Sequence, residues 1–376
     1  MPRALVTGGA GFIGSHLVDG LIARGIDVRI LDLLTSPVHN GVAPDYLHPE
    51  AEFIRGDVRD PECMRDALRD VAYVFHLAAY QDYLPDFSTF FTTNAASTAL
   101  LYELIVSERP TVELVVVASS QAVYGEGRYK CSRDGDVYPG PRSEEQLERG
   151  EWDHLCPKCR RPLKPGWTDE AVMNPHNPYG LSKRDQDEIA VKLGARYKIP
   201  SVAFRYSIVQ GPRQSFRNAY SGALRNFTVQ LGSGVQPLIF EDGRQLRDYV
   251  GIHDVVRATL LPLDRTGMHG MSFNVGGDRS VAVLELAELV GEAARVACEP
   301  RISGLYRVGD TRHVRSDVAR LKSQGWFPEE NLRDVVRGYV GWALEHPEFH
   351  NAAAAAQERM KKLGVLREAP TPVESS

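Results

Sequence analysis

A chain of 376 residues exceeds the usual length of one domain, so two packed units are expected. Its 43% hydrophobic and 25% charged fractions are ordinary globular values, and a net charge of −5 with scattered basic residues excludes the concentrated positive field of a nucleic-acid or anionic-membrane binder. No run reaches membrane-span length, residues 1–7 lack a signal-peptide layout, and five cysteines do not make a secreted disulfide scaffold, so a cytoplasmic setting is expected.

The β-rich run 3–7 predicts a first strand, and the string Thr7-Gly8-Gly9-Ala10-Gly11-Phe12-Ile13-Gly14 follows it into a predicted helix at 13–23. A side chain at the tight turn would strain the backbone, and one facing a pyrophosphate would hold the phosphate off. The helix N-terminus offers that anion unpaired N–H groups and a favourable dipole. A second strand at 27–31 leads to Asp32, 18 residues after Gly14, where a carboxylate accepts hydrogen bonds from ribose hydroxyls and repels a 2′-phosphate. NAD is therefore expected rather than NADP. A third strand at 52–55 precedes Asp57, which reads either as an adenine contact or as a plain loop acid. Helices at 61–69 and 95–107 alternate with strands at 73–77 and 113–119. Such alternation predicts a Rossmann-type α/β fold, a doubly wound parallel sheet.

Ser119 and Ser120 close the fifth strand. Residues 128–168 then interrupt the plan with an irregular stretch rich in Pro, Arg, Gly and Glu. It carries Cys156-Pro-Lys-Cys159, with Cys131 placed 25 residues upstream of Cys156. Two readings stand: a structural zinc on Cys131, Cys156 and Cys159 with Asp134 or His154 as fourth ligand, or three reduced cysteines in a loop. Cys63 and Cys298 read as isolated helix cysteines. Beyond the insert, Tyr179-Gly-Leu-Ser-Lys183 opens a helix continuing through 182–197. A spacing of four sets Tyr179 and Lys183 on one face, where an ammonium can stabilise a phenolate. A sixth strand is predicted at 200–206. From about 214 the pattern turns irregular, with helices at 280–296 and 331–343, an Ala-rich helical stretch at 351–362, and a frayed tail from 368.

These motifs resemble the extended short-chain dehydrogenase/reductase superfamily, in its nucleotide-sugar epimerase/dehydratase branch. Beyond TGGAGFIG and YGLSK, the likeness includes His76-Leu-Ala-Ala79, Asn94, ASSQAVYG at 118–125, Phe204-Arg-Tyr206, Gly211-Pro-Arg213, Arg247-Asp-Tyr-Val250 with Asp254, and Phe273-Asn-Val-Gly-Gly277. It covers roughly residues 3–345 apart from the insert. The resemblance implies Ser120, Tyr179 and Lys183 as catalytic residues. It implies NAD contacts from Gly8, Gly11, Phe12, Ile13, Gly14, Asp32, Asp57, Val58, Leu77, Ala78, Ala79, Asn94, Ser119, Tyr179, Lys183 and Tyr206. For a nucleotide-diphosphate sugar it implies Ser120, Gln121, Arg213, Arg247 and Arg307, the guanidinium forks suiting phosphate oxygens. It also implies a homodimer packed through the 95–107 and Tyr179-containing helices. The expected organisation is an NAD-binding domain at 1–213, a smaller C-terminal α/β substrate domain at 214–350 from which 245–265 returns to the first, and a tail at 351–376.

The chemistry implied is proton removal from a sugar hydroxyl, usually at C4, with hydride passing to NAD. A 4-epimerase takes the hydride back on the other face of the keto sugar, and this reaction is expected here. Dehydratases of the family carry acidic residues where this chain has Gln121 and Ala122, and 3,5-epimerases use a cysteine at Ala122. Decarboxylation of a hexuronic acid sugar starts from the same intermediate. One departure from the 4-epimerase pattern is Ser207-Ile208-Val209, which replaces an asparagine-containing turn. A sugar-nucleotide dehydrogenase would instead release NADH. A non-catalytic NAD-binding regulator should lack part of the Ser–Tyr–Lys set.

Overall fold

The computed structural model describes residues 1–82, 84–108, 111–216, 222–346 and 366–368. Seven strands form its main sheet, in the order Met271–Val275, Ser201–Tyr206, Leu114–Ser120, Tyr73–His76, Arg3–Thr7, Asp27–Asp32 and Glu52–Arg55. Every neighbouring pair is parallel. Successive side chains alternate between two layers. Ala4 and Val6 join Leu17 and Leu21 of the helix Phe12–Ile22, while Leu5 joins Leu101 and Ile105 of the helix Ser97–Glu108. Burial on both faces explains the unbroken apolar runs, and each large apolar side chain so placed contributes about 1.5–3 kcal/mol.

The first strand sits mid-sheet, pairing with Asp27–Asp32 on one side and Tyr73–His76 on the other. Strand order reverses there, and that switch point, at the strands' C-terminal ends, is where open α/β sheets form a ligand crevice. The helix Pro178–Tyr197 begins four residues before the continuous run at 182. Asn177 accepts a hydrogen bond from the Gly180 N–H at 2.7 Å, and Pro178 occupies the first helical turn. A buried Arg205–Asp187 ion pair at 2.9 Å fastens this helix to the strand Ser201–Tyr206.

A second core joins the helices Gly222–Gly232, Val283–Ala294 and Leu332–Leu344 through Leu224, Phe227, Leu286, Val290, Val336 and Tyr339. The first of these lies in the stretch read as irregular. Its Leu224, Phe227 and Leu231 recur at helical spacing, a signal masked by the flanking glycines. The helix expected at 280–296 is split: Ser280–Ala282 pairs antiparallel with the strand Leu246–Gly251, and the helix proper ends where Arg295 turns left-handed at φ 57. Cys298 therefore sits in a loop, its thiol donating to the Ala287 carbonyl at 3.2 Å. After the helix Ile252–Leu260 the chain adds the edge strand Met271–Val275 to the main sheet, beyond the return expected at 245–265.

The insert is ordered. Tyr129–Cys131, Gly135–Val137 and Lys164–Pro165 make a three-stranded sheet, with a short helix at Glu144–Glu148. Glu368 closes a short strand, Leu366–Glu368, paired antiparallel with Leu305–Arg307, whereas 351–362 and 369–376 lie outside the described residues. No helix among the described residues is long and apolar enough to cross a membrane.

Candidate active site

The turn after the first strand is closed by backbone geometry that glycine alone accommodates. Gly8 has φ +70, and a Cβ there would stand 2.8 Å from the Ala78 backbone nitrogen. A Cβ on Gly14 would come within 2.2 Å of the Gly8 carbonyl oxygen. The Asp32 carboxylate anchors the edge of this turn, accepting from the Ala10 N–H at 3.0 Å and the Leu34 N–H at 2.8 Å. Gly14→Ala is expected to disturb the turn at a cost of about 1–3 kcal/mol, which is roughly 5- to 150-fold in NAD affinity. Cofactor content of the purified variant checks this, and wild-type occupancy would count against a cofactor role for the turn.

At the C-terminal end of Leu114–Ser120, the Ser120 hydroxyl accepts from the Ala122 N–H at 3.1 Å and shares a hydrogen bond with the Tyr179 phenol. Lys183 is buried one helical turn on. Its Nζ donates to the Ala118 carbonyl at 2.7 Å and to Gln186 Oε1 at 2.8 Å, and lies 5.9 Å from the centre of the Tyr179 ring. Burial pushes the phenol up to about 12, against the hydrogen bond with Ser120, and pulls the lysine down to about 7. The lowered phenol expected from the Tyr–Lys spacing is thus opposed by the dry wall around the hydroxyl. Of the two, the lysine is the group that gives up its proton near neutrality.

Asn94 sits in a single π-helical turn, Phe91–Ala96. Its side chain donates to the Ser182 hydroxyl at 2.9 Å and to the Tyr80 carbonyl at 3.0 Å. It braces the Tyr179 helix and does not line the cavity.

That cavity, about 1070 Å³, runs from the glycine turn to the second core. Small-molecule pockets span roughly 300–1,000 Å³, so this one stands at the upper end of that range. Gly8, Gly11, Phe12, Ile13, Gly14, Leu77, Ala79, Ser119, Ser120, Gln121, Tyr179, Lys183, Tyr206, Arg247 and Arg307 all face it. Asp32, Asp57, Val58, Ala78, Asn94 and Arg213 do not line it. Asp57 pairs with Arg59 at 2.6 Å. Arg213, with φ 67, turns towards the first helix, where it pairs with Asp19 at 2.8 Å and stacks 5.1 Å from the centre of the Tyr46 ring.

At the far end, Arg247 and Arg307 each bring an Nη2 to 3.5 Å from Asp310 Oδ2. Burial pushes the Asp310 carboxyl up, but Arg307, Arg247 and Arg142 outweigh it and hold the group below the ordinary value. Arg307 also stacks over the Phe240 ring at 5.5 Å. Sequence reading assigned no role to Asp310 or Phe240. The three-residue step from Arg307 to Asp310 was a usable signal for the first, whereas the second depends on tertiary packing alone. Three buried oxygens in the cavity wall have no hydrogen-bond partner among the described residues: Ser119 Oγ, Gln121 Oε1 and Gln245 Oε1. A buried hydroxyl beside the glycine turn fits a cofactor that completes its hydrogen bonding.

Outside the cavity, ligand atoms of Cys131, Asp134, Cys156 and Cys159 lie within 4.8 Å of one another. His154 faces away from them, with its Nε2 3.0 Å from Glu126.

The profile of the NAD dependent epimerase/dehydratase family matches residues 4–148 and 153–276. The chain is 32% identical to the dTDP-L-rhamnose 4-epimerase of Burkholderia thailandensis, over 93% of this chain and 97% of that protein. The UDP-glucose 4-epimerase of Thermotoga maritima, solved with UDP-glucose, superposes with a TM-score of 0.71 at 29% identity, covering 90% of this chain and 98% of that one. The UDP-glucose 4-epimerase of Thermus thermophilus, solved with NAD, gives a TM-score of 0.70 at 27% identity, with 92% and 99% covered.

Proposed function

The chain belongs to the NAD dependent epimerase/dehydratase family, and from that membership we propose that it is an isomerase inverting C4 of a nucleotide-linked sugar with a resident NAD. One observation carries the reading: a Ser120–Tyr179–Lys183 cluster and an arginine pair line a single cavity. The glycine turn and the Ser119 hydroxyl would hold NAD, with Asp32 bracing the turn through the Ala10 and Leu34 N–H groups and its carboxylate free to accept further from the ribose. When bound, that cofactor supplies reversible hydride acceptance at C4.

The protein's own residues handle the proton and the position. Ser120 accepts a hydrogen bond from the sugar hydroxyl and relays it towards Tyr179. The Tyr179 oxygen takes the C4 hydroxyl proton and later returns it. Lys183, held by Ala118 and Gln186, keeps a positive charge beside the phenolate. Arg247 and Arg307 grip the diphosphate, so the oxidised ring can turn while its handle stays fixed. Gln121 and Ala122 supply no acid or base for eliminating water, which disfavours dehydration.

We assign cofactor binding to 1–213 and sugar-nucleotide binding mainly to 214–350. The reading includes a structural zinc on Cys131, Cys156 and Cys159, and a cytoplasmic setting, where NAD and nucleotide sugars are available. It also includes a homodimer packed through the 95–107 and Tyr179-containing helices, from which Ala96, Ala99 and Ile189 line one open surface pocket.

A panel of dTDP-, UDP-, GDP- and CDP-sugars, led by dTDP-6-deoxyhexoses, tests the function, with products identified by NMR. The expected result is a C4 epimer with no net gain of reduced nicotinamide. Stoichiometric NADH would identify a dehydrogenase, loss of carbon dioxide a decarboxylase, and inversion at C3 and C5 a 3,5-epimerase. Bound NAD without turnover of any sugar would defeat the enzyme reading.

A further inference from the structure

The insert's metal-ligand cluster and the arginine end of the cavity are physically joined. Cys131 ends one strand of the insert's small sheet, Asp134 lies in the turn that follows, and Cys156 and Cys159 form a separate knuckle. The sulfurs of Cys131 and Cys159 are 3.4 Å apart, and Asp134 Oδ2 lies 3.5 Å from the Cys131 sulfur and 3.2 Å from that of Cys156. A tetrahedral zinc with Zn–S of about 2.3 Å and Zn–O of about 2.0 Å implies S···S near 3.8 Å and S···O near 3.5 Å. These three distances fall within a few tenths of an ångström of those values, and all four ligand atoms lie within 4.8 Å of one another. The Arg133 N–H donates to the Cys131 sulfur at 3.4 Å, a contact that favours a thiolate.

The insert's own core is small. Its own apolar cluster comprises Tyr129, Cys131, Val137, Cys156 and Leu163, so two of the thiols are themselves part of the core. Yet it carries Arg142, which is buried and forks onto Glu241 at 2.9 Å through each terminal nitrogen. Arg142 also donates to the Asp310 carbonyl at 2.8 Å. Asp153, just before the knuckle, pairs with Arg312 at 2.8 Å. The insert thus grips the 310–312 segment from two sides, and Asp310 is the carboxylate between Arg247 and Arg307.

We propose that Asp134 completes a Cys3Asp zinc site, and that this site, by ordering the insert, braces the arginine end of the cavity for a nucleoside diphosphate. The proposal rests on the zinc and nucleotide-sugar readings above and adds to them the fourth ligand and the task. On metal binding each of the three thiols gives up its proton to solvent and the carboxylate binds as it is, with no change of oxidation state. No part of the site touches the catalytic cluster, so its role is positional.

The test uses the full chain purified without added metal. Elemental analysis should find one zinc per chain. Asp134→Ala should lose zinc to a competing chelator at least about tenfold more readily, as ligand removal ordinarily does. Stripping zinc from folded wild type should weaken UDP and dTDP binding on the order of tenfold by calorimetry, leave bound NAD unchanged, and be reversed by adding zinc back. Because metal is removed from protein already folded, the result does not depend on whether Cys156→Ser or Cys159→Ser folds. Absence of zinc, with free thiols or a Cys131–Cys159 disulfide, overturns the zinc reading and this inference together. Zinc held equally well by Asp134→Ala removes Asp134 as ligand. Zinc whose loss leaves diphosphate affinity unchanged overturns the bracing role while the zinc reading stands. If zinc-loaded wild type binds neither diphosphate, the nucleotide-sugar reading fails and the bracing role with it, while the zinc content remains a separate finding.

Discussion

Tyr179→Phe will lower kcat by about 10²- to 10⁴-fold while the protein keeps its NAD, because only the proton-transferring oxygen is removed. The phenol shares a hydrogen bond with Ser120 and opens onto the cavity, so little packing changes with it. Loss of one such hydrogen bond costs about 1 kcal/mol of stability, and the fold should survive. KM for the active sugar nucleotide should move only a few-fold, since Arg247 and Arg307 at the far end are untouched. Steady-state kinetics on the substrate found by the panel, with cofactor content measured on the same preparation, decides it. A variant retaining more than about a tenth of wild-type kcat would show that another group carries the proton.

The second large effect is on pH dependence, and its sign follows from the Tyr179–Lys183 pair. With the lysine pulled down to about 7 and the phenol pushed up to about 12, the pair holds both protons in acid and loses the first near pH 7. With one proton left on the two groups the main form is neutral lysine beside phenol, and the productive ammonium–phenolate form is a minor tautomer of it. Its population rises about tenfold per pH unit below 7 and levels off above, and kcat should follow it. Lys183→Met removes that first proton from the scheme. The rate should fall by about 10²-fold or more and still be climbing at about pH 10, because the phenol must then ionise unaided. A wild-type kcat flat between about pH 5.5 and 9 would contradict the assignment. Stability shares the sign. Lys183 binds fewer protons folded than unfolded between about 7 and its ordinary 10.5, so its contribution to stability improves as pH rises through that window.

The legible part of this molecule was the part written locally. A strand, a glycine turn and a helix are consecutive in TGGAGFIG, and a four-residue step sets Tyr179 and Lys183 on one face whatever surrounds them. The three thiols were legible for the same reason, as a short spacing with known ligand chemistry. What escaped depends on distant partners. Arg213 follows a motif glycine, yet its destination is decided by Asp19 and Tyr46, which are remote in sequence. Asp134 and His154 were equal candidates until folding turned the histidine to Glu126. The helix Gly222–Gly232 was hidden by its flanking glycines, and the strand Ser280–Ala282 exists only because Leu246–Gly251 lies beside it. The pull of burial on the phenol is likewise a property of the assembled wall and of no single segment.

Asp310 acts as an internal counter-ion. With one carboxylate set between two guanidinium groups, the far end of the cavity carries about one net positive charge instead of two. Mutual repulsion between Arg247 and Arg307 is thereby relieved before any phosphate arrives, and both forks are already oriented. In the role proposed for this pair, an incoming diphosphate would gain less Coulomb attraction than two bare arginines would give, and would be grasped in a defined pose without being trapped. That compromise suits a catalyst whose substrate and product share the same handle and must exchange on every turnover.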